Sequence, residues 1–238
     1  MSMDRLISDR TNGVPDFSLT DEVMPPTEWP TAGAGMLELR QILSADQRTF
    51  LGVDTMITTL VWLLRGYDEE IYEHSCHVAD WAVRIGQAME LKSCQLLTLR
   101  HAGLLHDFGK LALPRHFWRK SGAFSPDEVR LARRHPRFGS GMLAAVRGLA
   151  AVLPGVRYHH ERFDGSGYPY GLSGDRIPLI ARILAVADSY SAMTTARSYR
   201  RAISNDDACR ELVRCAGRQF DPFVVRIFLH LAQPTFVD

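Results

Sequence analysis

Apolar segments in this chain keep ending on histidine or aspartate. Leu104-Leu105 runs into His106-Asp107, residues 149–156 lead to His159-His160, and residues 177–187 stop at Asp188. A carboxylate or imidazole at the edge of an apolar run is costly to bury without a partner. The fold must therefore supply each of these groups with one. Between them, apolar positions recur at spacings of three and four, as in Phe50, Val53, Met56, Ile57, Leu60, Val61 and Leu64. That is the period of a helix with one face buried. No strand alternation, internal repeat or low-complexity tract interrupts it, so the expected fold is all-α.

With 238 residues, 46% hydrophobic and 23% charged, the chain can bury one sizeable core. Its net charge of +1 provides no global field for a nucleic-acid polymer or an anionic membrane. An anionic ligand would have to be held by local groups. The longest apolar run, 56–64, contains two threonines and is too short to span a bilayer. The four cysteines (Cys76, Cys94, Cys209 and Cys215) show no Cys-x-x-Cys spacing, and the polar N-terminus is no signal peptide. These features predict a reducing, cytoplasmic setting.

Residues 1–35 hold four prolines, three glycines and few periodic apolar positions, and read as an N-terminal extension or linker. Residues 36–66 form a helical lead-in with Gly66 as its stop, and residues 67–238 the main domain. Helices are expected over 68–89, over 95–105 with Ser93 as cap, from a Ser125 cap to about His135, and over 142–149. A further helix is expected over 177–187, Arg197 and Arg200 in the stretch 193–201 share a face if it is helical, and two helices fall within 206–231, broken at Gly217 and Asp221-Pro222. Residues 114–124 read as a loop.

Several side chains on this scaffold carry potential chemistry. Glu70 and His74 share a helix face, although a lone histidine there is more often a core or surface residue than a ligand. His106 beside Asp107 suits first-row metals, with Lys110 on the same face. The alternative makes Asp107 a cap and Lys110 a solvated charge. His135 reads equally as a surface residue or a ligand. His159 and His160 would point about 100° apart on a helix, so they suit two adjacent metals better than one core pocket. A polar helix end followed by a surface turn, Asp164-Gly165-Ser166-Gly167 before Tyr168-Pro169, is the competing reading. Arg197 and Arg200 can fork around a phosphate or decorate an exposed helix. Arg133 and Arg134 read as solvated. Seven N/O donors (His74, His106, Asp107, His135, His159, His160 and Asp188) are too many for one metal and suit two, roughly 3.5–4 Å apart.

The order His74, His106-Asp107, Asp188 resembles the HD superfamily of metal-dependent phosphohydrolases. The strings His106-Asp107-Phe108-Gly109-Lys110, His135-Pro136 and His159-His160-Glu161 through Gly167-Tyr168-Pro169 are similar to its HD-GYP subfamily. The likeness covers residues 68–228. It implies an HD-type helical bundle core with added C-terminal helices, and a phosphodiesterase that opens cyclic di-GMP to pGpG or GMP by attack of a metal-bridged hydroxide. It implies the seven donors above as metal ligands, with Asp107 bridging and Lys110 beside the scissile phosphate. Gly167, Tyr168, Arg197 and Arg200 would contact substrate. Some members bind a third metal through a glutamate four residues before the first histidine, the place of Glu70. The resemblance favours two or three divalent transition metals, iron first and manganese second. It brings in a diguanylate cyclase or other signalling proteins, and a second copy of the chain, as partners. Another cyclic dinucleotide or nucleotide as substrate stays open, as does a module that binds without turnover. The chain departs from the pattern at His77 (usually arginine), Ser191 (usually aspartate) and Ser198 (usually proline).

Overall fold

The computed structural model describes residues 52–196 and 201–232. The expectations for residues 1–51, Arg197, Ser198 and Arg200 therefore lie outside the described residues. The described elements are helical, and the one β contact among them is an isolated bridge between Ala216 and Phe220. The all-α expectation holds.

Helix α1 spans Val53–Tyr67, so Gly66 does not end it. The break comes two residues later, at Asp68, which adopts an extended backbone (φ −157°, ψ 114°). Its side chain accepts from the Glu70 N–H at 3.0 Å and so starts α2, Glu69–Ala88. Helix α3 (Ser93–Leu105) has Ser93 as its first residue rather than its cap. The Gln95 side chain closes that end by accepting from the Lys92 N–H at 3.0 Å. A 3-10 turn, Phe108–Ala112, follows. The expected loop over 114–124 contains a helical turn, α4 (Arg115–Trp118).

Ser125 caps α5 (Pro126–Ala132) in a reciprocal pair with Glu128. Helix α5 ends before His135, which instead opens α6 (His135–Ala144). Pro136 sits in the first turn of α6, where the missing N–H costs nothing. Helix α7 is Leu153–Tyr158, and His159 caps its C-terminus. Helix α8, Leu179–Thr194, runs straight through Asp188. A charge inside an apolar run reads as a terminus in sequence, but here it lies mid-helix because His74 partners it. Helices α9 (Asn205–Cys215) and α10 (Pro222–Ala232) break where expected.

Helix α8 buries Ala181, Ile183, Leu184, Val186 and Ala187, and so occupies the middle of the bundle. It packs on α2, α7, α9, α10 and α3, while α2 packs along α3. Met56, Ile57, Leu60 and Leu64 of α1 belong to the same core cluster as α2, α3 and α8. The expected boundary near residue 67 thus falls between two helices that share one core. Arg182 of α8 donates to Asp221 at 2.6 Å, with both side chains buried. Asp221 also accepts the Phe223 N–H at 2.8 Å and so fixes the start of α10.

Replacing Asp221 with Ala leaves the buried Arg182 charge to the exposed Asp175, 2.8 Å away, and takes a cap from α10. Unfolding free energy should drop by about 3–5 kcal/mol. Denaturant unfolding measures it, and a loss below about 1 kcal/mol would show that water readily replaces the carboxylate.

Candidate metal centre

Three helix ends and two helix interiors converge on Asp107. Each of three histidines donates from Nδ1 to the carbonyl three residues earlier: His106 to Gly103 (2.8 Å), His135 to Ala132 (2.9 Å) and His159 to Val156 (2.8 Å). These bonds fix the ring orientation and leave Nε2 aimed inward with a free lone pair. The carbonyls exist because these segments are helical on the N-terminal side of each ring, at the end of α3 and α7 and beyond α5. His74, inside α2, is set differently: Nδ1 meets Ser191 Oγ at 3.0 Å and Nε2 meets Asp188 Oδ1 at 2.9 Å. The serine that departs from the family pattern thus still supports the first histidine.

The donors fall into three overlapping triads: His135, His159 and His160; His74, His106 and Asp188; and His106, Asp107 and His159. Within each triad the donor atoms lie within 4.8 Å of one another. His106 and His159 each belong to two triads, so the set is one continuous cluster. Asp107 lies at its centre, with Oδ1 3.3 Å from His135 Nε2 and Oδ2 3.4 Å from His106 Nε2. All seven residues singled out as donors are brought together. His159 and His160 follow α7 rather than lie within it, so both rings reach the triad with His135. The helical angle of 100° between them does not apply.

Glu70 belongs to none of the triads. It lines a cavity beside His74 and Lys110, and its Oε1 lies 3.9 Å from Arg119 Nη2.

Burial lowers the basicity of His135 to about 3 and of His160 to about 4, and pushes His159 well below the usual imidazole range. Burial also lowers His74, against the pull of Asp188. For Asp107 burial acts upward, yet Lys110 and His106 outweigh it and hold the carboxyl well below its usual value. Asp188 behaves alike: burial opposes ionisation and His74 restores it. His106 is the exception, because Asp107 overcomes its burial and raises it. Neutral imidazoles beside ionised carboxylates are the protonation states that metal ligation requires. The His106 Nε2 atom is buried and makes no hydrogen bond. A buried, unpaired imidazole nitrogen facing a carboxylate is the donor a metal ligand offers, so these residues fit metal ions.

Lys110 Nζ donates to Asp107 Oδ2 at 2.5 Å. Trp118 holds this lysine: its indole N–H donates to the Lys110 carbonyl at 3.0 Å, and its ring lies 5.5 Å from the ammonium. Gly109 lets the 3-10 turn meet α6, because a Cβ there would stand 1.9 Å from the His135 carbonyl oxygen. On the other side, the Tyr168 ring stacks on His160 with centroids 4.9 Å apart. Gly167 permits this, since a Cβ there would lie 2.3 Å from the Arg162 nitrogen. Arg133 is exposed, as expected, and its guanidinium lies over the Tyr168 ring at 5.3 Å.

Sequence reasoning passed over two contributors. Glu161 is buried and accepts the Tyr170 and Leu172 N–H groups at 2.7 and 3.0 Å, clamping the loop after the Gly167-Tyr168-Pro169 turn. Its place directly after two histidines was the available signal. Trp118 left none, since a contact with the Lys110 backbone has no sequence pattern.

Residues 59–224 match the HD domain description, and the chain belongs to the HD domain family. Within that family it resembles cyclic dinucleotide enzymes. It is 39% identical over 167 residues to the cyclic di-GMP phosphodiesterase PA4108 of Pseudomonas aeruginosa, covering 70% of this chain and 40% of that protein. It is 34% identical over 238 residues to the cyclic di-GMP phosphodiesterase response regulator RpfG of Xanthomonas campestris, covering 91% and 61%. The fold is shared with a cyclic GMP-AMP specific phosphodiesterase from V. cholerae (TM-score 0.60, 20% identity, 76% of this chain and 48% of that one). The chain thus spans 40% and 61% of the length of the two curated relatives.

Gly109→Ala forces the 3-10 turn away from α6 and pulls Asp107 from His135. Metal bound per chain should fall by more than half, with a lowered melting temperature. Full metal content in Gly109→Ala would mean that the turn and α6 can separate without disturbing the donors.

Proposed function

We propose that the chain is a metal-dependent phosphodiesterase that hydrolyses cyclic di-GMP in bacterial second-messenger signalling. The carrying observation is the seven-donor cluster with Lys110 bonded to its central carboxylate, at the edge of an open cavity. The likeness to two cyclic di-GMP phosphodiesterases supports the substrate.

His74, His106, Asp107, His135, His159, His160 and Asp188 would hold two divalent ions. Imidazoles mixed with carboxylates favour iron, with manganese second, over magnesium with its preference for oxygen. Bound ions at such a site supply Lewis-acid polarisation and lower the pKa of water. The chain's own residues do the rest. Asp107 presents two oxygens to the cluster, and Lys110 supplies a positive charge beside it that offsets negative charge growing on the phosphoryl oxygens. The carbonyl-anchored rings hold their positions throughout, so no reorganisation accompanies the reaction. Water oxygen bonds to phosphorus as the bond to the 3′ oxygen breaks, and the leaving oxygen takes a proton. One such cut gives linear pGpG, and a second gives GMP. Gly167 and Tyr168 shape the edge of the pocket, and Arg197 and Arg200 would grip phosphate. Residues 67–238 would form the catalytic domain, with residues 36–66 leading in and residues 1–35 as an extension.

Asp107→Ala should lose bound metal and lower cyclic di-GMP turnover at least about 100-fold. Metal analysis and product chromatography on the same sample check both. Wild-type metal content with wild-type turnover would remove Asp107 from the centre.

A further inference from the structure

A second cavity, of about 340 Å³, lies away from the metal centre, against the early turns of α3, α7 and α8. Those helices deliver His106, His159 and Asp188 from their far ends or later turns, and none of the seven donors lines the cavity. Asp188 stands roughly two and a half turns beyond Leu179 along α8. The walls are aliphatic, with Leu91, Leu99, Ile177, Ile180 and Ile183 among them and no aromatic ring. They run from the buried Leu99, Ile177 and Ile183 out to the half-buried Leu91 and Ile180. The volume is in the range of small-ligand pockets, and such walls suit an alkyl chain rather than a stacked ring.

One part of this aliphatic lining is electropositive. Arg182 contributes to it and is only 5% exposed. Both hydrogen bonds of its guanidinium leave from Nη1, to Asp175 at 2.8 Å and to Asp221 at 2.6 Å. Its Nε is buried and has no partner. The Nε–Nη2 edge, a fork that matches a carboxylate, is therefore unused. A buried N–H without an acceptor is a standing cost that a ligand oxygen removes. The start of α8 adds to the same field. Pro178 brings no side-chain cap, and the Leu179 and Ile180 N–H groups make no hydrogen bond among the described residues. Asp175 does not fill this place, since its side chain is 68% exposed and meets Nη1 alone.

We propose that this cavity binds an aliphatic carboxylate, with its head on the Nε–Nη2 edge of Arg182 at the start of α8 and its chain along Leu99, Ile177 and Ile183. A carboxylate satisfies the fork with two oxygens and a single charge. A phosphate ester would carry a second charge into a dry site that Asp175 and Asp221 already border, which desolvation and repulsion oppose. An alcohol brings no charge to the guanidinium, and an amine brings a like one. Asp175 stands beside the head as a competing charge, so it weakens the ligand rather than holding it.

The test is titration calorimetry of the full, metal-loaded chain with octanoate, octanol and octylamine, which share one tail. Binding is read directly, so the outcome is independent of cyclic di-GMP turnover. Octanoate should saturate a single site at least about tenfold more tightly than the other two, as a charge-assisted pair implies. Thr98→Trp and Ala151→Trp fill the cavity from two different elements. Thr98 is half-buried, its hydroxyl bonds only the Cys94 carbonyl of its own helix, and Ala151 is exposed. Each variant should abolish octanoate binding at wild-type metal content. Asp175→Asn changes an exposed side chain that the fold does not need, and it should tighten octanoate several-fold. Octylamine binding as tightly as octanoate would make Asp175 the reader and overturn the carboxylate assignment. Octanoate binding that survives both tryptophans would lie elsewhere on the molecule and overturn the site. Unchanged affinity in Asp175→Asn would overturn the placement of the head, and no saturable binding to wild type would overturn the whole proposal.

Discussion

Asp107 is a buried carboxylate that stays ionised, and the fold around it is the arrangement that keeps it so. Burial alone would protonate it. Lys110 at 2.5 Å and imidazoles at 3.3 and 3.4 Å prevent that. Each of those groups is in turn placed by something else: Lys110 by Trp118, His106 and His135 by backbone carbonyls, and the 3-10 turn by Gly109 against α6. A charge this expensive to bury survives only where its partners are fixed before it is charged.

The same economy explains why the histidines sit at helix ends. A helix leaves its last carbonyls unpaired, and a ring three residues on can take one of them. His106 and His159 satisfy such a carbonyl with Nδ1 and turn Nε2 inward. The bundle therefore builds a candidate metal site largely from the ends of its own helices, with α8 passing through the middle to deliver Asp188 and Ser191 to His74.

Much of this was legible in the chain. Histidine and aspartate closing apolar runs marked His106, Asp107, His159 and Asp188, and their order carried the family. Helix spacing placed α1, α2, α3, α9 and α10 within a few residues. Local reading failed where a distant partner decides. Gly66 is helical because Asp68 makes a stronger break, and Asp188 lies mid-helix because His74, 114 residues away, bonds it. His135 starts α6 rather than ending α5, since Pro136 is at home in a first turn. Arg119, Trp118 and Glu161 act through backbone or tertiary contacts that leave no periodic trace.

The central claim is that seven side chains form one two-metal centre that hydrolyses a cyclic dinucleotide. The most direct measurement is metal content per chain in anaerobically prepared protein, followed by identification of products from cyclic di-GMP on that same sample. Two transition-metal ions per chain, with linear pGpG or GMP formed and both lost on chelation, is the expected result. Cyclic di-GMP left intact by protein carrying both metals would contradict the account.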